Sequence, residues 1–142
     1  MTNVASKLVD IGFGASQVIP VIQAALEEEV GPLLVEEPEI HLHPRAQGVV
    51  GDLLCVTSRR RQVIIETHSV HMVNRARLMV AHGRLPPEHV LVLYVSKDRR
   101  GSHIESIAVG KDGEFEKEWP EGFFEERYRD TLELMSLKSS EE

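Results

Sequence analysis

Apolar residues recur at helical spacing in three stretches of the chain. Residues 16–29 place valine, isoleucine, alanine and leucine on one stripe and end in three consecutive glutamates. A second helix is predicted from Pro44, a residue that suits a first turn, to a basic run at 59–61, whose charges suit a helix C-terminus. Ser69 is a favourable N-cap for a third helix, which Gly83 would end.

Two short apolar runs lie between these helices. Residues 33–35 are Leu-Leu-Val and residues 63–65 are Val-Ile-Ile, without the alternation of a strand that faces water on one side. Continuous apolar runs of this length are typical of parallel strands buried on both faces. The order of strands and helices therefore predicts an α/β fold with a parallel sheet and flanking helices.

The C-terminal part of the chain has a different pattern. After two prolines, residues 90–95 and 103–109 predict two strands joined by a polar turn at 97–102, and residues 125–137 predict a last helix. We therefore divide the chain into residues 1–85, which hold the α/β pattern, and residues 86–142, which hold the hairpin and the last helix.

Composition narrows the class of protein. The 142 residues carry 16 Lys and Arg against 23 Asp and Glu, a net charge of −7, which disfavours a free-standing nucleic-acid binder. The single cysteine, Cys55, cannot form an internal disulfide, as is usual in a reducing compartment. No apolar run approaches the roughly 20 residues of a membrane span, and no signal peptide is visible. A cytoplasmic protein without a membrane segment is expected.

Ionisable residues follow both predicted strands. Glu36 and Glu37 end the first strand, and His68 lies just beyond the second. The carboxyl ends of parallel strands meet at one edge of the sheet, where ligands bind, so these groups are expected to converge. One carboxylate can help hold a hydrated Mg²⁺ while the other orients a water for attack on a phosphate. The alternative is that they are solvated loop residues.

Two further motifs have both a chemical and a structural interpretation. Residues 12–17, Gly-Phe-Gly-Ala-Ser-Gln, precede the first helix, where exposed N–H groups can face an anion, although the spacing is not that of a dinucleotide fingerprint. His41 and His43 flank one leucine, and such a pair either chelates a metal or forms the turn before a helix.

Taken in order, residues 12–17, 33–38 and 65–69 resemble the second half of an ABC-type ATPase head. The resemblance is to the AAA ATPases related to the OLD and RecF/SMC groups. Residues 36–44 are similar to the Walker B motif and D-loop of these proteins. Residues 119–124, Trp-Pro-Glu-Gly-Phe-Phe, resemble the uncharacterised C-terminal domain that follows this type of ATPase in bacteria.

The resemblance implies a partial P-loop NTPase fold that works with ATP and Mg²⁺. By position in the motifs, Glu36 would stand on the Mg²⁺ side, through a water, although aspartate is usual there. Glu37 would be the catalytic carboxylate that polarises the attacking water. His68 would be the switch histidine near the γ-phosphate.

The same resemblance implies contacts between subunits. Gly12, Gly14 and Ser16 fall in a signature-like loop, which in this family faces the ATP bound by the opposite subunit, although the usual Leu-Ser-Gly-Gly-Gln is absent. His41 and His43 would lie in the D-loop and contact the partner. The expected partners are ATP and either a second copy of the chain or a protein that carries a P-loop.

No Gly-x-x-x-x-Gly-Lys-Ser/Thr occurs in these residues. That loop provides the N–H cradle and the lysine that bind the β- and γ-phosphates. The chain is therefore expected to be the C-terminal part of an ATPase that is inactive alone. Two inner strand edges would stay unpaired, because the strand of the P-loop lies between the 63–65 strand and the 90–95 strand in this family.

Two alternatives come from other classes of protein. One is a metal-dependent hydrolase whose ligands would be drawn from the carboxylates and imidazoles of Glu36, Glu37, His41, His43, His68 and His71. The other is a non-enzymatic interaction module that binds a partner through aromatic residues, namely Trp119, Phe123 and Phe124. The same aromatic residues are equally typical of a cluster that packs on its own core.

Overall fold

Short strands alternate with helices of 12 to 14 residues along the chain. The computed structural model describes residues 13–28 and 31–119. Three α-helices, four β-strands and a short 3-10 helix at Pro87–His89 follow in this range. They are α1 (Phe13–Leu26), β1 (Leu33–Glu36), α2 (Pro44–Thr57), β2 (Val63–Glu66), α3 (Val70–Ala81), β3 (Leu91–Asp98) and β4 (Gly101–Ala108).

Strands β1 and β2 pair in parallel, as the order of elements predicted. The register runs from Leu33 opposite Val63 to Glu36 opposite Glu66, and helix α2 makes the crossover between the strands. The inner face of β1 packs on all three helices in one buried cluster, formed by Ala25, Leu33, Val50, Leu54 and Met72. This packing places the carboxyl ends of both strands at the same edge of the molecule.

The outer face of this sheet is open to solvent. Leu34 and Ile64 are register partners on that face, and they are 66% and 50% exposed. The prediction that both strands are buried on both faces is therefore wrong for the described residues. The reason is that none of the described elements packs over Leu34 and Ile64, whereas the helices cover the other face.

Strands β3 and β4 form a separate antiparallel hairpin. The prediction of two strands is confirmed, but its six-residue turn is wrong, because pairing continues to Asp98 opposite Gly101. Only residues 99 and 100 remain in the loop. The side chain of Asp98 accepts hydrogen bonds from the N–H groups of Arg100 and Gly101, and Gly101 adopts φ +138°, so a tight turn is possible here.

A second buried cluster joins the hairpin segment to the helices. It contains one residue of α2, two of α3 and two residues that flank the hairpin, namely Cys55, Met79, Val80, Leu85 and Val109. Arg77 of α3 strengthens this junction, because its guanidinium donates to the carbonyl of Gly113 and lies 4.4 Å from the ring centre of Phe115.

The helix boundaries follow the sequence signals closely at α2 and α3. Pro44 is the first residue of α2, and the side chain of Ser69 caps α3 by accepting from the N–H of Met72. Helix α1 begins three residues earlier than predicted, so that Pro20 lies in its interior. The predicted helix at 125–137 and residues 120–124 lie outside the described residues.

The helices in the two described ranges are each too short or too polar to cross a membrane.

The hairpin turn contains a carboxyl group with a lowered pKa. The imidazole Nε2 of His103 lies 3.1 Å from Oδ1 of Asp98. This hydrogen bond, followed by the backbone bond from Arg100, lowers the pKa of Asp98. A carboxyl group with a lowered pKa in the folded state stabilises the fold above its unfolded pKa, and the contribution is lost as pH falls through the folded value.

We therefore expect the free energy of unfolding to depend on Asp98 only when that residue is ionised. The difference between the wild-type chain and Asp98→Asn should be largest above about pH 4, the usual pKa of an aspartate, and should shrink as pH falls below that value toward the lowered pKa of the folded state. Urea denaturation at a series of pH values measures this difference. A difference that stays constant through the acid range would contradict the assignment.

Candidate functional site

The chain turns sharply where β1 ends. Glu37 donates its N–H to the carbonyl of Glu66 at 2.8 Å, which extends the parallel ladder by one residue. A turn follows, in which Ile40 donates to Glu37 and Leu42 donates to Glu39. These bonds place residues 37–42 as a compact loop above the end of the sheet.

Two residues of this turn adopt left-handed backbone conformations. Glu37 has φ +43° and His41 has φ +57°, although neither is glycine. Such conformations cost on the order of 1–3 kcal/mol each for residues with a Cβ, and they cluster at functional sites. The surrounding packing therefore holds the turn in a shape that the residues alone disfavour.

The side chains of Glu37 and His68 meet at the edge of the sheet. Nε2 of His68 lies 3.6 Å from Oε1 of Glu37, at the ends of two neighbouring parallel strands. The His68 side chain is 75% exposed and the Glu37 side chain is 41% exposed. An exposed contact between a carboxylate and an imidazole adds little stability, so this contact matters chiefly because both groups are accessible to a ligand.

Glu39 is a functional candidate that sequence reasoning missed. It is 9% exposed, and its Oε1 accepts two short hydrogen bonds, from the hydroxyl of Thr67 at 2.6 Å and from the N–H of His68 at 2.7 Å. Thr67 and Ser69 flank His68 in the sequence as potential donors. No pattern in the sequence indicates which of the nearby glutamates faces them.

Gln47 of α2 connects the same two loops from the other side. Its amide donates to the carbonyl of Leu42 at 3.0 Å, and its carbonyl accepts from the hydroxyl of Ser69 at 2.6 Å. The N–H of Ser69 in turn donates to Thr67 at 2.9 Å. The turn after β1 and the loop after β2 are therefore joined by side-chain hydrogen bonds as well as by the sheet.

Glu36 and Glu66 lie side by side on the open face of the sheet. They are register partners at the ends of β1 and β2, and both are exposed. Like charges opposite each other destabilise a sheet, and a cation between them would relieve this repulsion. One or two carboxylates are the usual protein ligands of a hydrated Mg²⁺, so this donor set fits such an ion.

The structure does not bring the predicted histidine ligands together. Within residues 13–28 and 31–119 there is no group of three His, Cys, Asp or Glu side chains arranged to hold a metal. Nδ1 of His43 accepts from the N–H of Arg45 and caps α2, while the ring of His41 packs edge-on against Phe13, 5.1 Å between centroids. The described residues therefore give no support to the metal-dependent hydrolase.

The signature-like loop is only partly within the described range. Gly12 lies outside it. Gly14 stands in the first turn of α1, and the hydroxyl of Ser16 donates to the carbonyl of Phe13 at 2.7 Å. A Cβ atom on Gly14 would lie 2.3 Å from the carbonyl oxygen of His41. Gly14 is thus needed for the close approach of α1 to the turn after β1.

Trp119 packs on its own chain. Its ring centre lies 4.7 Å from that of Phe115 and 6.0 Å from that of Tyr94. This agrees with the interpretation of Trp119 as part of a packed aromatic cluster. Phe123 and Phe124 lie outside the described residues.

The contact between Gly14 and His41 generates a stability prediction. Gly14→Ala should lower the free energy of unfolding by about 1–3 kcal/mol, because the new methyl group meets backbone that cannot move aside as a side chain can. Urea denaturation measures the change.

Gly48→Ala in α2 is the matched control for this prediction. Its Cβ would meet only the side chain of Arg75, at 3.6 Å, so the substitution should stabilise the helix by roughly 0.5–1 kcal/mol. If Gly14→Ala were as well tolerated as Gly48→Ala, the close approach of α1 to His41 would be wrong.

Comparison with known proteins agrees with this architecture. Residues 2–73, about half of the chain, match the AAA ATPase domain family, and residues 85–134 match a family described as a protein of unknown function (DUF3696). The chain is similar to the OLD nuclease of Thermus scotoductus, with 31% identity over 98 residues. That alignment covers 65% of this chain and 19% of the relative, so the chain spans about a fifth of the relative's length. No solved structure matches the chain.

These matches confirm the resemblance to the AAA ATPases and to the uncharacterised C-terminal domain that follows them. The chain belongs to the AAA ATPase domain family.

Proposed function

We propose that this chain forms the catalytic-carboxylate side of an ATP-hydrolysing site. The observation that supports this most directly is the 3.6 Å contact between Glu37 and His68. These two groups stand at the ends of paired parallel strands, where α/β folds bind ligands. Both are exposed, so a nucleotide can reach them without rearrangement of the core.

Glu37 and His68 have complementary chemistry for phosphoryl transfer. The carboxylate of Glu37 accepts a hydrogen bond from the attacking water and orients it. The imidazole Nε2 of His68 donates a hydrogen bond to the terminal phosphate and stabilises the charge that develops on it. The contact between the two side chains keeps the water and the phosphate within reach of one another.

The carboxylates of Glu36 and Glu66 would hold the Mg²⁺ that accompanies ATP. The ion, when bound, neutralises charge on the phosphate oxygens. Glu36 is longer than the aspartate usual at this position, and binding through a water accommodates the extra methylene. Glu66 adds a second carboxylate that the sequence motifs did not single out.

The phosphate cradle would come from outside the 142 residues. The sequence contains no Gly-x-x-x-x-Gly-Lys-Ser/Thr, so a second copy of these residues cannot supply the cradle, and we propose that a P-loop from outside them completes the nucleotide pocket. In an assembly of two subunits, we propose that Gly12, which lies outside the described residues, and Gly14 and Ser16 at the start of α1 face the ATP of the opposite subunit. We propose a cytoplasmic location for the chain, because its single cysteine fits a reducing compartment.

Cys55 fits a reducing compartment but takes no part in the reaction. Burial raises the pKa of its thiol to about 11, with the charge of Asp52 as a second cause. A thiol of this kind is almost wholly protonated at neutral pH and is a poor nucleophile.

The nuclease activity in the name of the relative is not proposed for this chain. Metal-dependent hydrolysis of nucleic acid uses a cluster of metal ligands, and the described ranges hold no group of three such side chains. An ATPase needs only one or two carboxylates for its Mg²⁺, because the phosphates supply the other ligands.

The first test concerns turnover. The isolated chain should hydrolyse ATP no faster than buffer, because it has no cradle for the β- and γ-phosphates. In the presence of a polypeptide from the same genome that carries a P-loop, hydrolysis should appear, and Glu37→Gln should lower kcat by roughly 10²–10⁴-fold. Release of inorganic phosphate measures both results.

Glu88→Gln is the matched control, since Glu88 is an exposed glutamate of the 3-10 helix outside the site. It should leave turnover unchanged. Hydrolysis by the isolated chain that disappears in Glu37→Gln would refute the need for a P-loop. Equal rates with and without the Glu37 carboxylate would refute its catalytic role.

The second test concerns Mg²⁺. Without divalent cations, Glu66→Gln should raise the free energy of unfolding by a few tenths of a kcal/mol, because it removes like-charge repulsion across the strands. Added Mg²⁺ should stabilise the wild-type chain more than Glu66→Gln or Glu36→Gln. Urea denaturation in EDTA and in MgCl₂ measures the difference, and an equal effect of Mg²⁺ on all three would contradict the site.

A further inference from the structure

We propose that Glu39 is a positioning residue, whose buried carboxylate holds the backbone of His68 and thereby sets the distance between the His68 imidazole and Glu37. This inference rests on the proposed function, because it concerns the same pair of side chains. Glu39 itself touches neither the nucleotide nor the attacking water in this proposal.

The burial of Glu39 is the first observation. A carboxylate that is 9% exposed is costly unless it is paired or hydrogen-bonded. Oε1 receives both of the bonds, from Thr67 and from the N–H of His68, while Oε2 is buried and has no hydrogen-bond partner among the described residues. Bonds of 2.6 and 2.7 Å to a carboxylate are charge-assisted and roughly twice as strong as neutral ones.

The exposure of His68 is the second observation. Its side chain is 75% exposed, and β2 ends two residues earlier at Glu66, so neither the core nor the sheet holds the imidazole. The backbone bond to Glu39 therefore fixes the point from which the side chain extends. Thr67, which Glu39 also binds, accepts the N–H of Ser69 and so holds the residue on the other side.

The position of Glu39 in the chain is the third observation. It lies two residues after Glu37 in the same turn, and Ile40 closes that turn by donating to Glu37. The same turn thus places the Glu37 carboxylate beside the His68 imidazole and, through Glu39, holds the backbone of His68. A shift of this turn would move both groups together and leave their separation unchanged.

A purely structural role for Glu39 predicts a different behaviour. If Glu39 only joined two loops, its loss would lower the free energy of unfolding and leave the distance between the Glu37 and His68 side chains unchanged in the folded molecules. A positioning role predicts that this distance changes even in molecules that stay folded. The two roles are therefore separated by a measurement of coupling rather than of stability.

The experiment measures how strongly the Glu37 carboxylate affects the His68 imidazole. The ¹⁵N chemical shift of the His68 imidazole is recorded, without nucleotide, before and after Glu37→Gln in three backgrounds: wild type, Glu39→Gln and Glu39→Ala. Glu39→Gln retains an acceptor oxygen for Thr67 and for the N–H of His68. We expect Glu37→Gln to change the ¹⁵N chemical shift in the wild type and in Glu39→Gln. This change, called the displacement below, should be at most half as large in Glu39→Ala.

Two further variants provide a stability control and a second test of the hydrogen bonds to Glu39. Leu54→Ala removes a buried core side chain of α2, outside both loops, and should lower stability while leaving the displacement intact. Thr67→Val removes one of the two bonds to Glu39 and should reduce the displacement in part, which provides a result even if Glu39→Ala does not fold.

The proposal is overturned by any of three results: no displacement in the wild type, a full displacement in Glu39→Ala or Thr67→Val, or a loss in Glu39→Gln as large as in Glu39→Ala. An equal loss in Leu54→Ala would also overturn it, since general loosening would then explain the effect. Because no ATP is used, these results are independent of the turnover assay that tests the proposed function.

Discussion

The parallel pairing of β1 with β2 is the interaction on which the candidate site depends. It ends with the N–H of Glu37 bonded to the carbonyl of Glu66, one residue past the last pair of the strands. This bond brings the turn that holds Glu37 beside the loop that holds His68. Two strands of four residues make few hydrogen bonds, so the helices that pack on Leu33 must stabilise the pairing.

The sequence predicted the elements whose signals are local. Pro44 and Ser69 mark helix starts by their own chemistry, and the apolar runs at 33–35 and 63–65 mark parallel strands. The exposure of Leu34 was not predictable, because it depends on whether another element covers that face. The role of Glu39 was hidden for a similar reason, since its donors lie 28 and 29 residues away along the chain.

Gly14, in the first turn of α1, shows how one residue type supports two interpretations. A glycine at a helix N-terminus permits an anion to approach, but it also permits another backbone to approach. In this chain the backbone of His41 occupies that space beside Gly14, and the ring of His41 packs on Phe13. The start of α1 and the turn after β1 therefore form one packed unit, so a change in either is transmitted to the other.

Burial separates the residues that we propose to react from the residue that we propose to hold them. Glu37 and His68 are exposed, as a group must be that meets a ligand, and exposed side chains are poorly constrained by packing. Glu39 is buried and bonded, and its geometry is therefore well determined. A buried carboxylate costs stability that an apolar residue would not. Glu39 lies two residues from the accessible Glu37. Its burial is best explained if it serves to hold Glu37 and His68 in position.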